Sequence, residues 1–223
     1  MKILKLGIDD AGRGPVIGPM ILAGCLVNDD IENEFKELGV TDSKKLTQKK
    51  REFLSDKIKA GAIAWNTQIT YPEDIDQGKK DGVNLNDLEA IKCANIINAL
   101  NDGKTKIKVI VDCPSTNLIT WADYLKSKIK NLSNLEISCE HKADKNHVSV
   151  SAASILAKCL REIEMDKLRK KYGECIGSGY TSDSKSRKFL ENNILKFDKD
   201  GIFRKSWTTW QKIWDKSAQK TLC

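Results

Sequence analysis

The chain predicts an α/β fold, and three observations carry that expectation. Short apolar runs recur along it, at residues 3–9, 17–27, 62–70, 107–111 and 135–139. Segments with helical spacing alternate with those runs, the pattern of a sheet covered by helices. A length of 223 residues at 40% hydrophobic content is enough to bury a real core, and no repeat, low-complexity tract or linker divides it. One domain over residues 1–223 is therefore expected, with the basic, helix-rich stretch from about 184 to 223 as a C-terminal extension.

Residues 3–9 read as a buried strand. The longer run 17–27 contains Gly18-Pro19, which predicts an irregular or bulged start. Residues 31–38 have helical spacing. A polar loop follows, and Thr47 suits the N-cap of a helix reaching about residue 60. The third strand, 62–70, is expected to end at Tyr71-Pro72. Residues 84–100 place Leu85, Leu88, Ile91, Ile96 and Ile97 near one helical stripe. Strand 107–111 ends at Asp112-Cys113-Pro114, helix 117–130 follows, and 135–139 is a short alternating strand. The longest predicted helix is 148–172. Its first half carries Ser149, Ser151, Ala152, Ala153 and Ser154, small enough to let it lie close against the sheet. After the tight loop Gly177-Ser178-Gly179-Tyr180 come a helix at 184–195 and a closing segment at 202–214. Trp207, Trp210 and Trp214 fall there at i, i+3 and i+7, a spacing commoner in packing than in a stacking platform.

The formal net charge is +7, which fits an acidic partner such as nucleic acid, although a lysine-rich surface also serves solubility. Seven cysteines, Cys25, Cys93, Cys113, Cys139, Cys159, Cys175 and Cys223, are scattered and form no C-x-x-C pair. They read as free thiols in a reducing compartment, with no zinc site. The N-terminus has no signal-peptide core and no apolar run approaches membrane length, so a cytoplasmic protein away from membranes is expected.

The densest chemistry is the string GIDDAGRGPVIGPM at 7–20. Asp9 and Asp10 stand together at the mouth of a strand, where like charges repel, and a cation or a proton relieves that cost. The neighbouring glycines allow close backbone approach, and Arg13 offers a planar cation to phosphate. The plainer alternative is a surface hairpin with ordinary turn acids. Asp112 also ends an apolar strand. If the first and fourth strands are parallel neighbours, about 4.8 Å apart, Asp9 and Asp112 face one volume outside the strand ends, with Asp10 beside them. Asp144 and Glu162 are further candidates. Such an all-oxygen set suits Mg²⁺ or Mn²⁺ and metal-assisted cleavage of a phosphodiester. The alternatives stay open: Asp112 as a turn residue before Cys-Pro, Glu162 as a surface ion-pair partner of Arg161 or Lys158, and His141 and His147 as structural or exposed residues.

Seven strings in order resemble ribonuclease HII, in particular its archaeal branch. They are GIDDAGRGPVIGPM, DSKKLT (42–47), VDCPS (111–115), HKAD (141–144), VSAASILAKCLRE (150–162), GSGYTSD (177–183) and FRKSWTT (203–209), and they span nearly the whole chain. The resemblance implies a ribonuclease H-like five-stranded mixed sheet, its second strand antiparallel, flanked by helices and followed by a C-terminal helical region. It implies hydrolysis of the RNA strand of RNA–DNA hybrids, and incision 5′ to a single ribonucleotide embedded in duplex DNA, leaving 5′-phosphate and 3′-hydroxyl ends. By motif position the metal and catalytic carboxylates are Asp9, Asp10, Asp112 and Glu162, holding Mg²⁺ or Mn²⁺. Gly12, Arg13 and Gly14 match the turn whose backbone meets the ribose 2′-hydroxyl, the group that distinguishes RNA from DNA. Tyr180 matches the tyrosine that stacks on the following deoxyribose. Lys44 lies in the loop near the phosphates, and Lys142 and Asp144 support the acids from behind. Lys49, Lys50, Arg204 and Lys205 are expected to add phosphate contacts. A monomer is expected, with a replication clamp as the protein partner in question.

Two positions depart from the family pattern. Its usual second acid is glutamate, and here it is Asp10. Its usual fourth acid is aspartate, and here it is Glu162, as in the related ribonuclease HIII. Asp166, one turn past Glu162, is a weaker candidate for the fourth place, since i+4 displaces a side chain by about 6 Å along the helix. Another nuclease of the same fold acting on DNA, or a nucleic-acid binder whose site has drifted, are the competing functions.

Overall fold

The computed structural model describes residues 3–221, so Cys223 lies outside the described residues. The chain divides into two compact units. The first comprises Met1–Ala11, Ile21–Gln68 and Asn86–Cys159; the second comprises Gly12–Met20, Ile69–Leu85 and the chain from Leu160 onward. The expected extension started near residue 184. The second unit takes in that stretch together with the later part of the longest helix and two earlier segments.

The first unit is built on a five-stranded sheet in the order β3-β2-β1-β4-β5. Its strands are β1 (Leu4–Ala11), β2 (Met20–Val27), β3 (Ala64–Thr70), β4 (Ile107–Asp112) and β5 (Leu135–Glu140). β1 pairs antiparallel with β2 and parallel with β4, and β4 pairs parallel with β5. This is the mixed sheet that the sequence implied. β2 is buried at every position, as an apolar strand covered on both faces must be.

Two glycines show which helix covers which face. A Cβ on Gly7 would lie 2.1 Å from the Ser149 carbonyl carbon and 2.2 Å from the Val150 nitrogen, so α7 (Val148–Tyr172) rests directly on β1. The small residues at its start make that approach feasible: Ser149, Ala152, Ala153 and Ser154 are fully buried. Gly24 pairs with Ile8, one residue along β1 and therefore on the opposite face. Its Cβ would meet Ile96 of α4 (Leu85–Leu100) at 2.3 Å. The sheet is thus sandwiched between α7 and α4.

Around it lie α1 (Asp29–Glu37), α2 (Gln48–Gly61), α5 (Leu118–Ser127) and the short α6 (Ala143–Asn146). α1 starts earlier than expected because Asn28 caps it, its side chain accepting from the Ile31 N–H at 2.9 Å. Thr47 caps α2 as predicted.

The second unit contains α3 (Pro72–Lys80), the later part of α7, α8 (Ser184–Asn193) and α9 (Thr208–Thr221). Its core joins Val16 and Ile17 to Phe189, Leu190, Ile202 and Phe203. Trp210 belongs to this core and stacks on Trp214 at 4.9 Å, with Trp207 packed alongside, so the tryptophans are packing residues. The irregular start foreseen for β2 is real. Ile17 leaves the sheet to form a β-bridge with Phe203, and Gly18 adopts φ +85°. α3 was not expected: Tyr71-Pro72 starts a helix as well as ending a strand. Proline sits in the first turn, and the Asp74 carboxylate accepts from the Tyr71 N–H at 3.1 Å.

Candidate active site

Asp9 and Asp112 come from adjacent parallel strands, Ile8 being paired with Val111. Alternation along β1 puts Asp9 on the same face as Gly7, beneath α7, and turns Asp10 toward the α4 face. On β4, Ile110 clusters with Ala143 and Val150 on the α7 side, so Asp112 shares that side with Asp9. All three carboxylates line one cavity at the strand ends, with Glu89, Cys93, Pro114 and Trp121.

Their electrostatics are those of crowded acids. Burial, then the Asp10 charge and in smaller part that of Asp112, push Asp9 up to about 8, against hydrogen bonds from Ser154 and from the Asp10 N–H at 2.7 Å. Asp112 is raised too, mainly by burial and partly by Asp144; a hydrogen bond from the Ala143 N–H at 3.0 Å works against it, as does the Lys44 charge. Lys44 stands in a 3-10 turn, Ser43–Lys45, of which Ser43 is fully buried.

A lysine that sequence reasoning treated only as an ion-pair partner for Glu162 joins this group. Lys158 on α7 donates to Ser43 Oγ and, at 3.1 Å, to Ser154 Oγ; the two hydroxyls are 2.9 Å apart. Burial lowers its pKa, with the Asp9 charge opposing. A chain of polar groups therefore runs from the 42–47 loop through Ser43, Lys158 and Ser154 to Asp9. Its sequence signal was the spacing of Ser154 and Lys158, one helical turn apart on one face.

Lys142 has φ +59°, the one positive-φ non-glycine among the described residues. That conformation starts α6 and aims the Ala143 N–H at Asp112. His147 pairs with Glu140 at 2.8 Å, and His141 Nδ1 lies 3.2 Å from the Cys113 carbonyl, so both histidines have structural contacts.

Gly12, Arg13, Gly14, Glu162 and Tyr180 belong to the second unit. Gly12 has φ +80°, and a Cβ there would lie 2.3 Å from Arg161 Nε. Gly14 faces Tyr180, its Cβ position 3.7 Å from Tyr180 Cε1. The Gly179 carbonyl accepts from the Val16 N–H at 3.0 Å, which ties the 177–180 loop to the glycine turn. Asp183 and Ser186 hold that loop through the Ser178 and Gly179 N–H groups, both at 2.8 Å. Glu162 forms an ion pair with Arg169, which also holds Asp166 at 2.6 Å, so neither acid is distinguished from the other by its partner.

Arg204 corrects an expectation. It does not face solvent to meet phosphate; it is fully buried, and its guanidinium donates to the carbonyls of Gly12 at 2.6 Å, Arg13 at 2.6 Å and Gly18 at 2.9 Å. The turn's carbonyls point inward and need a donor, which buried backbone always requires. Lys205 is taken up by Asp198 at 2.6 Å, and Lys50 donates to the Leu38 carbonyl at 3.2 Å.

The donor set fits a hard divalent cation. It is all oxygen, and Asp9, raised chiefly by burial and then by the Asp10 charge, would be stabilised as a carboxylate by a bound cation. Among the described residues no three acid, imidazole or thiol side chains already close on one point, because Asp9 and Asp10 leave the strand on opposite faces. Cys25, Cys93, Cys113, Cys139, Cys159 and Cys175 are free thiols. No helix among the described residues is long and apolar enough to cross a membrane.

A sequence profile described as Ribonuclease HII matches residues 6–210. The chain belongs to the ribonuclease HII family. The Methanocaldococcus jannaschii ribonuclease HII is 41% identical, with 99% of each chain covered. Among solved structures, ribonuclease H2 from Pyrococcus horikoshii superposes with a TM-score of 0.85 at 34% identity, covering 96% of this chain and 98% of that one. The ribonuclease HII of a PCNA:RNase HII complex from Archaeoglobus fulgidus gives 0.80 at 34% identity over 92% and 96%. Family and fold together support ribonuclease H endonuclease activity on nucleic acid.

Proposed function

We propose that this ribonuclease HII family member is a metal-dependent endoribonuclease acting as a single catalytic domain. It cuts the RNA strand of RNA–DNA hybrids and incises duplex DNA 5′ to an embedded single ribonucleotide, leaving 5′-phosphate ends. The observation that carries this reading is that Asp9, Asp10 and Asp112 all line one cavity at neighbouring strand ends, with Asp9 raised to about 8 by burial and then by its acidic neighbours. Glu162 enters the proposed set only by its position in the α7 motif; it is paired with Arg169, and the further acid whose charge reaches Asp112 is Asp144. The acids of the set are proposed to hold Mg²⁺ or Mn²⁺, which when bound supplies charge stabilisation at the reacting phosphate and an activated water.

This chain's own residues do the rest. Ser154 and the Asp10 N–H orient the Asp9 carboxylate. The Ala143 N–H orients Asp112. Lys44 offers its cation to a substrate phosphate. The Gly12–Gly14 backbone, free of side chains at its glycines, meets the ribose 2′-hydroxyl, and Tyr180, 37% exposed, stacks on the next sugar. A replication clamp of the PCNA kind is a proposed partner, by analogy with the Archaeoglobus fulgidus complex. A cytoplasmic location agrees with the free thiols.

A duplex DNA carrying one ribonucleotide tests the proposal. Incision on its 5′ side, dependent on Mg²⁺ or Mn²⁺, is the expected result. Cutting of all-DNA duplex points instead to a DNA nuclease, and binding without cutting to a drifted site.

A further inference from the structure

Arg161 occupies a position that none of the proposed roles uses. It is only 8% exposed, and burial lowers its pKa even though it stays a cation. Its guanidinium carbon lies 5.1 Å from the centre of the Tyr180 ring. Nη2 donates to the Ser178 carbonyl at 2.8 Å, two residues before that ring. At its other end Nε sits against Gly12, where even one added carbon would be 2.3 Å away, and Nε has no hydrogen-bond partner. One rigid, planar group therefore spans the space between the glycine turn and the tyrosine. It touches both elements that are proposed to read the sugar.

Burying a guanidinium with an unsatisfied N–H is costly, and a hydrocarbon would fill the same space more cheaply. What a hydrocarbon cannot do is place a cation over an aromatic ring while donating to the backbone that carries that ring. Leucine or methionine would pack, yet leave Tyr180 free to turn toward Gly14, whose Cβ position is 3.7 Å from the ring edge.

We propose that Arg161 is the positioning residue that sets the gap between the Gly12–Gly14 turn and the Tyr180 ring, and so determines how strictly the enzyme demands a ribose followed by a deoxyribose. It acts through Tyr180 and need not touch substrate. The proposal rests on the reading of the turn and Tyr180 given above.

The test uses Arg161→Lys, which keeps charge and stem but loses the planar fork, with Arg161→Gln as a second variant should the first fold poorly. The full-length protein is labelled with 3-fluorotyrosine, and the Tyr180 resonance is assigned by its loss in Tyr180→Phe. Both Arg161 variants should shift that resonance. The ratio of kcat/KM on single-ribonucleotide duplex to kcat/KM on long RNA–DNA hybrid should fall about tenfold, the scale of one lost charge-assisted hydrogen bond. In a Tyr180→Ala background, Arg161→Lys should change the ratio no further. An unmoved fluorine resonance overturns the proposal whatever the enzyme cuts. Additive losses in the double variant, or equal losses on both substrates, overturn it as well. If the resonance moves but neither Arg161→Lys nor Tyr180→Ala alters the ratio, the sensing role of Tyr180 falls, and the specificity role of Arg161 falls with it. If Tyr180→Ala alone alters the ratio, only the role of Arg161 falls.

Discussion

Asp9 and Arg204 are both buried charged residues within or beside the glycine-rich string, and the protein treats them in opposite ways. Arg204 is fully satisfied: its guanidinium is spent on the carbonyls of Gly12, Arg13 and Gly18, and its ring neighbour is Trp207 at 5.0 Å. Asp9 is crowded by Asp10 and Asp112 and is raised to about 8. The first arrangement is a finished scaffold that holds a backbone shape. The second is a cost that the proposed cation would relieve. A buried charge that is complete without a ligand belongs to the architecture, and one that is incomplete belongs to the chemistry.

Substitutions can break this contrast. The largest effect is expected from Asp112→Asn, which should lower hydrolysis of an RNA–DNA hybrid by more than about a hundredfold, since even outer partners of metal ligands cost ten- to a hundredfold. Folding, followed by circular dichroism, should be nearly unchanged. Arg204→Ala should do the reverse and act first on stability. Three carbonyls lose a charged donor inside the protein, for a loss of about 3 kcal/mol or more in urea unfolding.

Asp9→Asn separates the two kinds of charge most directly. A carboxyl raised in the folded state is penalised as pH climbs from its ordinary value of 3.8 toward about 8. Without divalent ions the variant should therefore melt higher than the parent, with the advantage growing through that window. Adding Mn²⁺ should raise the Tm of the parent and leave that of Asp9→Asn almost unmoved. Equal Tm values at pH 8 would show that Asp9 carries no such penalty.

The smallest effect concerns Asp10, whose arm is a methylene shorter than the family's usual glutamate. Asp10→Glu should raise the rate in Mg²⁺ more than in Mn²⁺, because Mg²⁺ tolerates imperfect ligand geometry poorly. Rates in each ion that rise together would remove the arm-length explanation.

Much of this was legible in the chain. Strand ends are marked by the switch from apolar run to acid, which located Asp9 and Asp112, and the parallel pairing of β1 with β4, a condition of bringing them together, is met in the sheet. The 148–172 helix was read to the residue because its small-residue start and charged end are both local signals. Other features depended on distant partners. Nothing near Arg204 shows that carbonyls 186 to 192 residues away need its donors. Lys158 looked like a surface charge because Ser43, its other hydroxyl partner, is 115 residues away. α3 is hidden for a different reason: Pro72 reads as punctuation at a strand end, although proline in a first turn with Asp74 behind it is also a start signal.

Gly7 has no side chain and takes no part in any proposed step, yet it fixes how near the long helix can come to the central strand. Even a methyl group at this position would lever α7 away and carry Ser154 off the carboxylate it steadies. A saturation screen for cleavage would score position 7 alongside the acids themselves, and an unwary reader of that screen would look for a reactive group where the protein has only made room.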